Sequence, residues 1–198
     1  MTMKLILASS SPRRAELLRD AGIAFEVCAP KVEEARRPDE SVETMVARLA
    51  EAKAHAAAEL VSKNNSAIII GADTAVELNG EIFGKPRDAA DARKMLTALS
   101  GRTHYVLTGI CVLRLPDGAT RFAVETTAVT FAALDENEIE AYVASGEPFD
   151  KAGGYAIQGR AGRYIPRIEG CHFNVVGLPL ARLSALLRDL GWQGDWKA

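Results

Sequence analysis

Apolar and polar positions fall into short blocks of differing period, each closed by a recognisable stop. Lys4 to Ala8 is an apolar run behind one lysine, the pattern of a buried strand. Pro12 to Ala21 reads as a helix opened by proline and closed by Gly22, a residue at ease in the left-handed cap. Phe25 to Ala29 reads as a short strand. From Val42 to about Ser62, the residues Met45, Val46, Leu49, Lys53, Ala56 and Leu60 fall near one side of a helix. Ser41 is its N-cap, with Thr44 too short to complete a capping box. Ala67 to Ala72 is apolar without interruption, so a central strand covered on both faces is expected, ending at Asp73-Thr74. Ala75 to Leu78 and Glu81 to Phe83 flank Asn79-Gly80, a pair suited to a type I′ hairpin turn.

Downstream the same alternation continues. Asp88 caps a helix whose Ala92, Met95, Leu96 and Leu99 keep the i, i+3, i+4, i+7 spacing up to Ser100-Gly101. Thr103 to Leu115 and Thr120 to Phe131 are two long strands around a Pro116-Asp117-Gly118 turn. Asp135 opens a helix to about Ser145, Asn174 to Pro179 reads as a strand, and Pro179 begins a last helix to Leu190. The tail from Gly191, with Trp192 and Trp196, shows no period. Helices alternating with strands, two hairpins among them, predict an α/β or α+β fold: a mixed sheet flanked by helices, one domain over residues 1–198, of one or two lobes.

Composition narrows the function classes. A chain of 198 residues buries a proper core without disulfides or a structural metal. Twenty-four Lys and Arg against 26 Asp and Glu leave a net charge of −2, which argues against a general nucleic-acid or membrane-surface binder. A small polyanion held by a few placed cations remains open. Cys28, Cys111 and Cys171 lack metal-ligand spacing and are odd in number, so neither a zinc site nor a disulfide framework is expected. Met1 to Ala8 lacks the apolar length of a secretory segment. A soluble cytoplasmic protein is expected.

Four segments could carry chemistry. Ser9-Ser10-Ser11-Pro12-Arg13-Arg14 joins the first strand to the first helix, where hydroxyls, free N–H groups and the helix dipole favour an anion. The plainer reading is a serine cap followed by two solvated arginines. Asp73-Thr74 ends the central strand, a place where ligands collect, although a turn-forming aspartate explains it too. Gly84-Lys85-Pro86 is a stiff frame able to aim an ammonium at phosphate, or a solvated loop, and it lacks P-loop spacing. Asp150-Lys151-Ala152-Gly153-Gly154-Tyr155-Ala156-Ile157-Gln158-Gly159 combines glycines with one carboxamide, and Gly-rich turns between strands explain the glycines equally well. Of His55, His104 and His172, only His172 beside Cys171 suggests a thiol hydrolase, and packing or surface roles explain the histidines better.

In this order and spacing, with Val176-Gly177-Leu178-Pro179 behind them, the segments resemble the Maf family of nucleotide pyrophosphatases, the septum formation inhibitor proteins. The resemblance covers nearly the whole chain. It implies hydrolysis of a nucleoside triphosphate at the α–β linkage to monophosphate and pyrophosphate, assisted by a divalent cation, magnesium or manganese. It also implies a fold similar to the inosine triphosphate pyrophosphatases, with two lobes and a cleft, and a homodimer. The form of residues 150–159 is similar to the branch acting on dTTP and UTP; the branch acting on 7-methyl-GTP differs there. In that branch Asp73 corresponds to the proton acceptor, and Arg13, Thr74 and Gln158 bear on substrate choice.

Elementary chemistry agrees with the resemblance. A triphosphate must be neutralised before water attacks it. Arg13 and Arg14 offer planar forks, Lys53 and Lys85 point charges, and Ser9 and Ser11 hydroxyls. Magnesium needs one or two carboxylates beside phosphates and water, which points to Asp73 with Glu33, or Glu34, of the loop before the long helix. An ordinary aspartate is a weak base at neutral pH, so either a metal activates the water or burial raises the carboxyl's pKa. Gln158 can accept from N3–H of uracil or thymine and donate to a neighbouring carbonyl. The alternative is a regulatory nucleotide-binding protein that acts on a cell-division partner without turnover.

Overall fold

Local signals explain most element boundaries in the computed structural model, which describes residues 3–61 and 66–194. β1 (Lys4–Ala8) buries Leu5 to Ala8, and α1 (Pro12–Asp20) starts on proline and is followed by Gly22 at φ 68°. β2 (Glu26–Val27) is shorter than expected, an exposed edge pair whose neighbour Cys28 still donates its N–H to Leu7 O. In α2 (Val42–Leu60), Ser41 Oγ accepts the N–H of Thr44 as predicted. The expected end at Ser62 lies outside the described residues, as does Trp196.

The face that α2 buries differs from expectation. Met45, Val46, Leu49, Ala50, Ala54 and Ala57 are buried, while Leu60 is exposed. The reason lies in two sheet glycines beneath the helix. A Cβ at Gly71 would collide with the Ala50 carbonyl oxygen and stand 2.9 Å from Ala54 N; one at Gly109 would stand 2.8 Å from Ala47 N. Helix backbone rests almost on strand backbone there, leaving no room for larger side chains.

β3 (Ala67–Leu78) runs through Asp73 and Thr74 without a break and joins β4 (Glu81–Phe83) by Asn79 and Gly80, at φ 54° and 84°. Asp73 is therefore a mid-strand residue, correcting both the strand end and the turn expected there. Its carboxylate finds a partner on another element, so no local turn forms. α3 (Ala89–Leu99) is capped by Asp88, β5 (Thr103–Leu115) and β6 (Thr120–Thr130) flank the Pro-Asp-Gly turn, and Asp135 with Glu138 forms a capping box on α4 (Glu136–Ala144). β7 (Arg167–Glu169), with one apolar residue, escaped the pattern.

At Asn174–Pro179 the expected strand is replaced by a single helical turn, α5 (His172–Val176), and Pro179 caps α6 (Leu180–Asp189). Asn174 decides this. Its buried Nδ2 donates to Val106 O and to Thr127 Oγ1, both at 2.9 Å, and these bonds override the β preference of Val175 and Val176.

Among the described residues seven strands form a mixed sheet in the order β2-β1-β3-β5-β6-β7, with β4 paired to β3. β1 is parallel to β2 and β3; β3–β4 and β6–β7 are antiparallel. The mixed α/β fold is as expected. No described helix is long and apolar enough to cross a membrane.

The chain divides into two compact units. Unit 1 comprises residues up to Asp73, Thr108–Glu125 and Gly177 onward; unit 2 comprises Thr74–Leu107 and Thr126–Val176. Part of the unit 1 core joins Ile6, Ala8 and Ile69 to Ala50, Ala54, Cys111 and Leu113. The unit 2 core gathers Val76, Phe83, Leu96, Leu99, Val106, Phe131, Tyr142, Tyr155 and Tyr164.

His104 lies wholly inside unit 2, edge-on to Phe131 and Tyr155, with Nε2 2.6 Å from the Tyr155 hydroxyl. Burial holds its pKa down to about 4. Unfolded histidine titrates near 6.5, so below that pH the unfolded chain takes a proton that the folded chain refuses. The corresponding stability is complete above about pH 6.5 and is lost as pH falls toward 4. Between pH 7.5 and 5 the unfolding free energy should drop by about 2 kcal/mol from this residue. Urea titrations at the two pH values check this, and His104→Phe should lose that part of the pH dependence.

Candidate functional site

The turn between β1 and α1 is organised by a buried arginine. Arg14 Nε donates to Gly177 O at 2.8 Å, and its Nη1 donates to Ser9 Oγ and to Ala72 O, each at 3.0 Å. Ser9 Oγ also accepts the N–H of Ser11 at 3.2 Å. Ser11 occupies the N-cap position, yet its side chain makes no cap hydrogen bond. The plainer reading of a serine cap with two solvated arginines therefore fails: Arg14 braces three chain segments, and Arg13 is half-buried beside it. Burial lowers the Arg14 pKa from its ordinary value, and the nearby Asp73 charge opposes that.

Asp73 shares a β3 face with Gly71, the face over which α2 passes at closest approach. Lys53, one position before Ala54, consequently reaches it. Its Nζ lies 2.7 Å from Asp73 Oδ1 and 2.6 Å from Glu34 Oε1. Asp73 is 8% exposed. Burial raises its carboxyl pKa above the usual value even though Lys53 and Arg14 pull it down, and Glu34 adds to the rise. Of the two open explanations for a competent base, the structure thus supplies burial. On the loop it is Glu34 that reaches Lys53; Glu33 and Glu34 are both exposed.

That loop is anchored by residues that no motif singled out. Arg48 of α2 grips Glu40 through both carboxylate oxygens, at 2.6 and 2.8 Å, and donates to Ala35 O at 3.0 Å. Glu40 further accepts the Arg37 N–H, and its own carbonyl takes Arg36 Nε. The Arg48 and Arg37 hydrogen bonds hold the Glu40 pKa down to about 2. An acidic residue eight positions before an arginine carries no helical signature, so only the folded loop reveals the pair.

Unit 2 carries the remaining candidates. Thr74 follows Asp73 on β3, half-buried; Lys85 and Gln158 are exposed. The Gly84 carbonyl accepts the N–H of Gly153, tying the Lys85 turn to the 150–159 segment. That segment consists of short 3₁₀ turns rather than turns between strands. Its glycines serve close packing: a Cβ at Gly153 would stand 3.0 Å from the Val76 methyls, and one at Gly154 3.2 Å from Pro86 Cγ. Burial pushes the Cys111 thiol up to about 12, so it does not resemble an activated nucleophile, and the backbone of Cys171 shares Thr127 Oγ1 with Asn174.

Residues 4–190 match the family described as Maf-like protein. The chain is 49% identical over its whole length to a dTTP/UTP pyrophosphatase of Anaeromyxobacter sp. (strain Fw109-5), covering 95% of that protein. It is 52% identical to the dTTP/UTP pyrophosphatase of Vibrio cholerae serotype O1, over 93% of this chain and 96% of that protein. The chain belongs to the Maf-like family. In structure it is similar to the Staphylococcus aureus Ham1 protein, with a TM-score of 0.54 at 18% identity, covering 94% of this chain and 99% of that one. That likeness concerns the fold alone.

The donor set of this Maf-like protein suits a hard divalent cation. Asp73 and Glu34 present two carboxylates around one ammonium, and no cluster of three or more His, Cys, Asp or Glu side chains suited to a metal exists among the described residues. Carboxylate oxygens are donors of the hard kind that divalent cations take.

Two substitutions test this geometry. Arg14→Lys cannot reproduce the three fixed N–H directions and should cost about 2–4 kcal/mol of stability, read by urea unfolding. Lys53→Met removes the main charge holding the Asp73 pKa down. The acid limb of the activity–pH profile should move to higher pH, and an unmoved limb would separate Asp73 from Lys53.

Proposed function

We propose that this Maf-like protein hydrolyses dTTP and UTP at the α–β linkage, releasing the monophosphate and pyrophosphate. The observation that carries the reading is the buried Asp73 carboxylate, raised in pKa, set between Lys53 and the Arg14-braced serine turn. The names of full-length relatives at about half identity support the same substrates.

In this reading Asp73 takes the proton of the attacking water. A carboxyl with a raised pKa is a better proton acceptor than an ordinary aspartate. Lys53 holds the carboxylate in place and keeps it ionised, with Glu34 fixing the ammonium from its other side. Arg13, Ser9, Ser11 and the amide groups opening α1 receive phosphate oxygens, while Arg14 keeps that turn in shape. A divalent cation, when bound, neutralises phosphate charge and activates water; Asp73 would hold it, with Glu34 beside it and Glu33 on the same loop. In unit 2, Lys85 contributes a phosphate-directed charge, and Thr74 and Gln158 bear on the choice of nucleotide. Family membership supports a cytoplasmic homodimer with the nucleotide as its partner.

The assay is product analysis across the common triphosphates with magnesium or manganese. Pyrophosphate release from dTTP and UTP is the expected result. Orthophosphate would place cleavage at the γ position, and nucleotide binding without turnover would favour the regulatory alternative. Asp73→Asn should lower kcat by roughly 10²–10⁴-fold with the fold intact, since proton transfer is worth that much. Near-normal turnover at saturating metal would remove Asp73 from the chemistry.

A further inference from the structure

Gln158 is exposed, yet the backbone around it is held by side chains, the buried Tyr155 on the side before it and the half-buried Glu147 on the side after it. The N–H of Gly159, next to Gln158, donates to Ala156 O at 3.1 Å. The Tyr142 hydroxyl donates to Glu147 Oε1 at 2.8 Å. The other carboxylate oxygen, Oε2, accepts the N–H of Arg160 at 3.1 Å, two residues after Gln158. Tyr142, Glu147 and Arg160 thus form one hydrogen-bonded chain, and the Gly159–Ala156 bond closes the turn that carries Gln158. Gly159 lies so close to the carboxylate that a Cβ there would stand 2.6 Å from Glu147 Cδ. A second anchor comes from Tyr155. Its hydroxyl meets His104 Nε2 at 2.6 Å, and its ring is edge-on to His104 and Phe131 at 5.3 and 4.8 Å.

The loop has a chemical economy that packing alone does not require. One half-buried carboxylate accepts from a buried phenol and from the backbone N–H of Arg160, two residues after Gln158, so both of its oxygens are engaged. A carboxamide that reads a base edge must hold its two ends in a fixed sense, because a small rotation or shift exchanges donor for acceptor or breaks both bonds. We propose that Glu147, together with the His104–Tyr155 pair, is a positioning residue that fixes the backbone bearing Gln158 and thereby sets discrimination among pyrimidine triphosphates. The inference rests on the reading of Gln158 as the residue that contacts the base.

The test measures kcat/KM for dTTP, UTP and CTP, with single-turnover conditions for slow pairs, in Glu147→Ala, Glu147→Gln, Tyr155→Phe and Gln158→Ala, each alone, and in the Glu147→Ala/Gln158→Ala double variant. Glu147→Ala should reduce the preference for dTTP and UTP over CTP by about 10-fold, as expected for a misplaced contact group. Glu147→Gln should restore most of it, since the amide oxygen can accept from Arg160 while its NH₂ donates to Tyr142. In the Gln158→Ala background the loss of Glu147 should change the preference no further. A merely structural role would lower Tm and the active fraction while leaving the preference ratio unmoved in every variant, and that result overturns the proposal. Should Glu147→Ala fail to fold, Tyr155→Phe removes a single oxygen and carries the decision: a shifted ratio upholds the proposal and an unchanged one overturns it. If Gln158→Ala itself leaves the ratio unchanged, the base-reading role falls and the positioning proposal with it. If only Gln158→Ala shifts it, base reading stands and positioning alone falls.

Discussion

The site in unit 1 depends on how closely a helix can approach a strand. At Gly71 and Gly109 the sheet offers no side chain, and Ala50 and Ala54 on α2 offer only methyl groups, so the two backbones meet. That distance is what lets the Lys53 ammonium arrive at Asp73 rather than stopping in solvent above it. A larger residue at either glycine would lift the helix, and with it Lys53, Glu34's partner and the Glu40–Arg48 clasp at the helix's start. Packing and electrostatics are here one constraint. The burial that raises the Asp73 pKa and the cation that restrains it are delivered by the same contact.

Charge is handled differently in the two units. Unit 1 buries ionised groups and satisfies them: Arg14 has three fixed acceptors, Asp73 has Lys53, and Glu40 has Arg48. Unpaired, any one of them would be costly to hold away from water. Unit 2 buries neutral polar groups instead, in His104, Tyr142, Tyr155 and Asn174, and keeps Lys85 and Gln158 at the surface.

Much of this was readable from residue order because the responsible physics is local. Caps at Ser41, Asp88 and Asp135, the Asn79-Gly80 turn and the glycine after α1 each act within a few residues, and each stands where the pattern put it. The candidate residues were legible as a set of motifs, but their division of labour was not. Arg14 looked equivalent to Arg13 because its acceptors lie far away in sequence, at Ala72 and Gly177. The buried face of α2 was misjudged because alanine carries little hydrophobic signal, and the helix at Asn174 because its hydrogen bonds reach β5 and β6. Asp73 looked like a strand end because nothing in its neighbourhood reveals a lysine twenty positions earlier.

The Arg14–Gly177 hydrogen bond spans 163 residues of sequence. Synthesis runs from the N-terminus, so β1 and the serine turn emerge first while the acceptor that completes their brace emerges near the end. Unit 1 is built from three separate stretches of chain, with unit 2 inserted between them. No N-terminal fragment that stops short of Gly177 can therefore hold a finished Arg14 site. A chain that ends before Gly177 lacks that brace, and the turn between β1 and α1 acquires its final form only when almost all of the polypeptide is available.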